Sequence, residues 1–280
     1  MTKKDKSGKI KISVVVCAKN EEKRIVKSLR SIIKNKVDEI IVVDGNSADK
    51  TVYLSRKFTK KVIISKKGTL VADRQVGINA AKNSFIAMID ADHILKKNDI
   101  INLYKDLKKY NFDIVQSQLK AHSKSSFLNL AEEEAWDVTH NIPGARLMIG
   151  TAPCIYKKEI FRFVKFENKI VKNMDDTDFM YRLSKLNKFK VGIGDTKIIQ
   201  FHHSSSKEFL RKFLWYGRGD AEFIKKFPHK ILSILFHQII RYPLIYPLKA
   251  ILKFKFRSVV YFISMGLIRF WALSTYVFKK

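Results

Sequence analysis

Short apolar runs alternate with stretches whose apolar residues recur at helical spacing, and this alternation constrains the fold most. Ile12 to Cys17, Glu39 to Val43, Val62 to Ser65 and Phe85 to Ile89 are each too short for a helix and read as buried strands. Between them, Asn20 to Ile33 carries Ile25, Leu29, Ile32 and Ile33 on one helical face. A second helix is expected through Val52, Leu54 and Phe58, capped by Ser47 or Asp49, and a third over Asp73 to Lys82. Strands alternating with helices give an α/β chain with a parallel sheet. From about Asp113 the pattern becomes mixed. Strands are expected over Asp113 to Ser117 and Lys190 to Gly194, and helices over Phe127 to Thr139 and Asp178 to Leu186.

The fourth run ends in two acids one residue apart, Asp90-Ala91-Asp92. Ligands of open α/β sheets bind outside the carboxyl ends of the strands. Hard divalent cations such as Mg²⁺ and Mn²⁺ take one or two carboxylates plus substrate phosphates. The pair therefore points to a metal-bridged nucleotide diphosphate. Taken alone, it reads more readily as a turn acid plus a helix cap before Ile94.

The chain has 280 residues and a net charge of +29, from 55 lysines and arginines against 26 acids. That excess calls for an anionic partner: nucleic acid, a membrane surface or a phosphorylated substrate. The lysines are dispersed and no nucleic-acid motif is present, so nucleic acid is not the expected partner. No acid follows Glu222. The two cysteines, Cys17 and Cys154, sit in apolar contexts and suit a reducing compartment without a disulfide framework. Thr2 to Lys11 is too polar for a signal peptide. Residues 231–248 are apolar but interrupted, and Ser258 to Phe278 is a longer apolar stretch with Arg269 near its middle. Lysines and arginines flank the second stretch, as on helices that meet anionic lipid. Membrane contact, spanning or lying flat, is expected over the alternative of a buried helical pair packed on the domain.

Several motifs follow in a fixed order: Val14 to Glu22, Ile41 to Thr51, Ala72 to Ala81 and Ile89 to Asp92. The series resembles glycosyltransferase family 2 over roughly Lys11 to Gly219. The resemblance implies a GT-A-type, Rossmann-like mixed sheet with flanking helices, to which this chain adds C-terminal hydrophobic and amphipathic helices. It implies an inverting transferase that uses a nucleotide-diphosphate sugar with Mn²⁺ or Mg²⁺. Ala18, Asn20 and Glu21 would hold base and ribose, and Asp44 would accept a base N–H. Arg74 would pair with phosphate or with Asp90. Asp90 would face the ribose or a metal-bound water, and Asp92 would ligate the metal. In Met174 to Leu183, Asp176 aligns with the family's catalytic base and Asp175 replaces its usual glutamate, while Asp178 reads as a helix N-terminal acid. His202 or His203 would complete the metal site, with His202 preferred. The basic segment Phe209 to Gly219, with Arg218, is a candidate clamp for the diphosphate or a membrane-surface helix.

The chain departs from the family in two places. Cys17 stands where many members have proline, and Leu214 precedes Trp215 where processive members carry Gln-x-x-Arg-Trp. One transfer per encounter is therefore expected. The organisation expected is a basic tail over 1–10, a GT-A domain over 11–205, a basic amphipathic segment over 206–230 and membrane-associating helices over 231–280. The acceptor would be a hydroxyl on a lipid-linked or cell-surface glycan, at the cytoplasmic face of the cell membrane. The enzyme would be peripheral there, or hold one or two C-terminal membrane helices. A polyprenyl-phosphate acceptor is the alternative, and a basic nucleic-acid-binding protein a more distant one.

Overall fold

The computed structural model describes residues 11–66, 68–167, 174–201 and 205–278. The chain divides into two compact units. The first comprises Met1–Gln118, Pro143–Asn168 and Phe179–Ile198, and the second Leu119–Ile142, Lys169–Asp178 and Ile199–Lys280.

The first unit is built on a mixed sheet. Strands β1 (Ile12–Ala18), β2 (Glu39–Asp44), β3 (Val62–Ile64) and β4 (Phe85–Met88) are parallel neighbours in the order β3-β2-β1-β4. Short β5 (His93–Ile94) lies at the far edge of the sheet, beyond β6 (Ile114–Ala121), β8 (Cys154–Lys157) and β9 (Val191–Gln200), in the order β8-β6-β9-β5. β7 (Gly144–Ala145) pairs with β9. Beyond β4 the direction reverses: β8 runs antiparallel to both β4 and β6, with Met88 opposite Cys154 and Gln116 also opposite Cys154.

β1 reads as a largely apolar run, broken only by Ser13, because both its faces are covered. Val14 and Val16 point into one cluster with Ile25, Leu29 and Ile32 of α1 (Ile25–Ile33) and Leu103 of α4 (Asp99–Lys109). Val15 and Cys17 point into the other, with Val71 and Ile78 of α3 (Leu70–Ala80) and Phe179 of α6 (Asp175–Ser184).

Helix starts differ from the sequence expectation. α1 begins at Ile25, not Asn20, because Asn20 takes a left-handed φ of 55° that helix cannot continue. α2 (Thr51–Arg56) follows Asp49, whose carboxylate accepts from the backbone N–H of Thr51. α3 begins three residues ahead of Asp73, because the side chain of Thr69 caps it by accepting from the N–H of Ala72. α6 begins at Asp175, with three acids in its first turn, where the helix dipole favours them.

The second unit is helical. α5 (Phe127–Thr139) and α7 (Ser206–Lys226) share a core with α10 (Phe256–Phe278), in which Ala131, Phe213, Tyr261 and Phe262 are buried. A continuous helical rod over Pro228–Leu252 holds α8 (Ile231–Phe236), π-helical turns over His237–Ile245 and α9 (Tyr246–Leu252). Pro243 lies within the π-helical turns and has no N–H to donate to a helical ladder. By length and composition the rod and Phe256–Tyr276 are each apolar enough to cross a membrane. Arg269, in the interior of the second stretch, donates to Asp220 of α7 at 2.7 and 3.0 Å.

Candidate active site

The register of the parallel strands brings the ends of β1 and β2 level, with Ala18 opposite Asp44. The chain leaving β4 stays beside β1, since Ile89 donates its N–H to the Val15 carbonyl at 3.0 Å. Asp90 and Asp92 follow directly.

The loops after β1 and β2 are clamped to each other. The N–H of Asn20 donates to Ser47 Oγ at 2.9 Å, and Asn20 Oδ1 accepts from the N–H of Ala48 at 2.9 Å. The N–H of Glu21 donates to Thr51 Oγ1 at 2.7 Å. Asp44 is fully buried, and its carboxylate accepts from the N–H of Ser47 at 2.8 Å and from the Ser47 hydroxyl at 2.5 Å. Here Asp44 closes the Asp-Gly turn that carries the clamp. Gly45 beside it is close to α3: a Cβ there would come 2.8 Å from Asp73 Oδ2.

A cleft of about 290 Å³ opens at this edge, lined by Cys17, Ala18, Lys19, Glu21, Gly68, Leu70, Asp73, Asp90, Ala91 and Asp92. Ligand pockets start near this size. Arg74, buried on α3, places Nη2 3.4 Å from Asp90 Oδ2. Four acids face a small volume. Burial raises the pKa of Glu21; Arg24 opposes this and the charge of Asp92 adds to it. Burial likewise raises Asp73, against a hydrogen bond from Ser65 and the charge of Lys19. A cation would relieve this crowding.

Asp90, Asp92 and His93 hold ligand atoms within 4.8 Å of one another. Two carboxylates in a cleft fit a hard divalent cation such as Mg²⁺ or Mn²⁺. His93 has a different part. Its Nδ1 accepts the N–H of Asp90 at 2.9 Å, and the ring is buried, so the imidazole braces the turn that presents both acids. His202 and His203, the histidines expected at the metal, lie outside the described residues.

The second unit holds the other candidates. Asp175, Asp176 and Asp178 occupy the first turn of α6. Asp178 is buried and paired with Lys226 of α7 at 2.5 Å, and Asp175 is buried as well. Asp176 alone of the three keeps partial solvent access, and its Oδ1 accepts from the N–H of Thr177. Arg218 is exposed on α7.

Sequence reasoning did not single out Asp73, Lys19 or His93. Asp73 and Lys19 lie inside motifs read for their neighbours, and His93 directly follows the acid pair. An acid directly before Arg74 and a histidine three residues after Asp90 were the available signals.

The fold has solved relatives. TarS of S. aureus, residues 1–349 in complex with UDP-GlcNAc, superposes with a TM-score of 0.54 at 14% identity, over 96% of this chain and 92% of that one. The architecture is that of the GT-A glycosyltransferases. Sequence places the chain more narrowly: it belongs to Glycosyl transferase family 2, whose sequence model matches residues 13–189. An uncharacterized glycosyltransferase of Rickettsia bellii is 39% identical over 87 residues, 31% of this chain and 29% of that protein. The match thus spans under a third of that relative's length. Glycosyltransferase GlyG of Streptococcus pneumoniae is 26% identical over 257 residues, 82% of this chain and 84% of that protein.

Proposed function

We propose that the chain transfers a sugar, with inversion, from a nucleotide-diphosphate donor to a hydroxyl on a lipid-linked or cell-surface glycan. The observation that carries this reading is the acidic cleft at the carboxyl ends of β1 and β4, where Asp90 and Asp92 stand beside a buried Arg74. Membership of Glycosyl transferase family 2 supports it, as do the name of GlyG and the UDP-GlcNAc held by TarS.

In this reading Ala18, Asn20, Glu21 and Asp44 form the nucleotide end, and Arg74, Asp90 and Arg218 meet the diphosphate or ribose. Asp92 and Asp90, with His202, would hold Mn²⁺ or Mg²⁺, which when bound neutralises charge on a diphosphate leaving group. Asp176 takes the proton of the acceptor hydroxyl as its oxygen bonds to the anomeric carbon. The bond from that carbon to the diphosphate breaks, and the nucleotide diphosphate leaves with its electron pair. Asp176 suits the task because it is the solvent-reaching acid of its turn. Residues 11–205 make up the catalytic part, with 206–230 basic and 231–280 associating with the cytoplasmic face of the cell membrane.

The test is donor turnover. Purified chain is incubated with UDP-, GDP- and dTDP-sugars, Mn²⁺ or Mg²⁺, and membrane extract as acceptor source, and released nucleotide diphosphate is measured. Release that depends on metal and is lost in Asp92→Ala supports the reading. Absence of release with every donor and metal, in a chain that remains folded, overturns it.

A further inference from the structure

α10 carries an apolar stripe on its outward face as well as an apolar buried face. Phe256, Val260, Ile263, Leu267 and Trp271 recur at helical spacing and are all exposed. The opposite face is buried, and the charge it carries, Arg269, is turned onto Asp220. The rod over Pro228–Leu252 repeats the pattern. Leu232, Phe236, Ile240, Leu244, Leu248 and Leu252 follow every fourth residue, and all are exposed. Water does not stabilise continuous apolar stripes of this length, so they mark an interaction surface.

We infer that these stripes rest in an anionic lipid surface, and that α10 lies in the membrane plane instead of crossing it. Its neighbour supplies the reason. α7 packs directly on the middle of α10: a Cβ on Gly217 would come 2.4 Å from the Arg269 carbonyl. α7 carries nine charged side chains in 21 residues. A spanning α10 would pull that helix into hydrocarbon, where charged groups are strongly disfavoured. Lying flat, α10 offers its stripe to acyl chains while α7 stays on the aqueous side, the arrangement of interfacial amphipathic helices. The lipid is anionic because the chain after Glu222 holds eleven lysines and arginines and no acid. This inference is independent of the donor-site reading.

The test uses the full-length chain and vesicles of phosphatidylcholine with or without phosphatidylglycerol. Nitroxide labels are placed on single cysteines introduced at Val260, Ile263, Leu267 and Trp271. Native Cys17 and Cys154 are buried, which limits background labelling. Relaxation by oxygen and by a water-soluble nickel complex gives the depth of each label. The expected result is one shared shallow depth at all four positions. Partition should be about tenfold or more stronger on anionic vesicles, and about tenfold weaker for Leu267→Glu with unchanged circular dichroism. A depth profile that runs through the bilayer centre overturns the inference in favour of a spanning helix. Failure to bind vesicles, with self-association through the labelled face in solution, overturns it in favour of a second copy as the occupant.

Discussion

Arg74 Nη2 lies 3.4 Å from Asp90 Oδ2, and the two side chains differ sharply in solvent access. Arg74 is almost wholly buried on α3, and Asp90 is one-third exposed at the mouth of the cleft. The guanidinium is thus a fixed cation beneath the acid pair. It offsets Asp90 and leaves Asp92 as the acid whose charge a metal would chiefly answer. Asp92→Asn is expected to abolish the metal-dependent part of the thermal shift produced by UDP. In the wild-type chain a ligand at about a hundred times its dissociation constant adds roughly 2.7 kcal/mol. A shift with Mn²⁺ that survives in Asp92→Asn would remove that residue from the metal site.

Asp176 separates two acceptor chemistries. A hydroxyl acceptor needs a base, and general-base catalysis contributes roughly 10²–10⁴-fold. A phosphate acceptor is already ionised and needs none. Asp176→Asn is expected to lower the transfer rate by roughly 10²–10⁴-fold with little change in donor affinity. Wild-type rates in Asp176→Asn would point to a polyprenyl-phosphate acceptor.

Asp73 gives a pH signature. Burial holds its folded-state pKa above the unfolded value. The folded state therefore binds a proton that the unfolded state releases, and stability falls as pH rises from the unfolded value, about 3.9, through the raised one. Above that window the penalty is present in full. Asp73→Asn keeps an oxygen for Ser65 and carries no charge. Its melting temperature should exceed that of the wild-type chain at pH 7, by roughly 2–4 °C for each kcal/mol relieved. The gain should vanish below about pH 3.9. Scanning calorimetry at several pH values tests this, and an equal difference at acid and neutral pH would discard the explanation.

The parallel half of the sheet was legible in the sequence because β1, β2 and β4 are buried on both faces and so read as largely apolar runs. α5 runs over Phe127–Thr139, as its spacing predicts. Boundaries set by single side chains were not legible. The left-handed Asn20 and the Thr69 cap each moved a helix start, and neither alters apolar periodicity. β8 has only four residues, and its antiparallel pairing with β4 joins positions far apart in the chain, as with Phe85 and Lys157. At the site, the acid pair was visible as a motif. The buried partners that shape its charge were not, because the burial of Asp73 and the orientation of His93 arise only when α3 and the turn after β4 are folded against the sheet.

The pairing of Arg269 with Asp220 predicts how α7 and α10 respond to substitution. Asp220 is fully buried, accepts from Arg269 at 2.7 and 3.0 Å, and also accepts from Gln238 Nε2 at 2.7 Å. Removing one member leaves the other charge buried, which typically costs about 3–5 kcal/mol. Asp220→Leu and Arg269→Met should each destabilise by roughly that amount in urea unfolding. The double variant should recover most of the loss, because two apolar side chains of similar volume need no counter-charge. The outward stripe of α10 is untouched by these changes, so the double variant should bind anionic vesicles as the wild-type chain does. If the double variant loses as much stability as the two single variants combined, the pair is not coupled and Arg269 is held by other contacts.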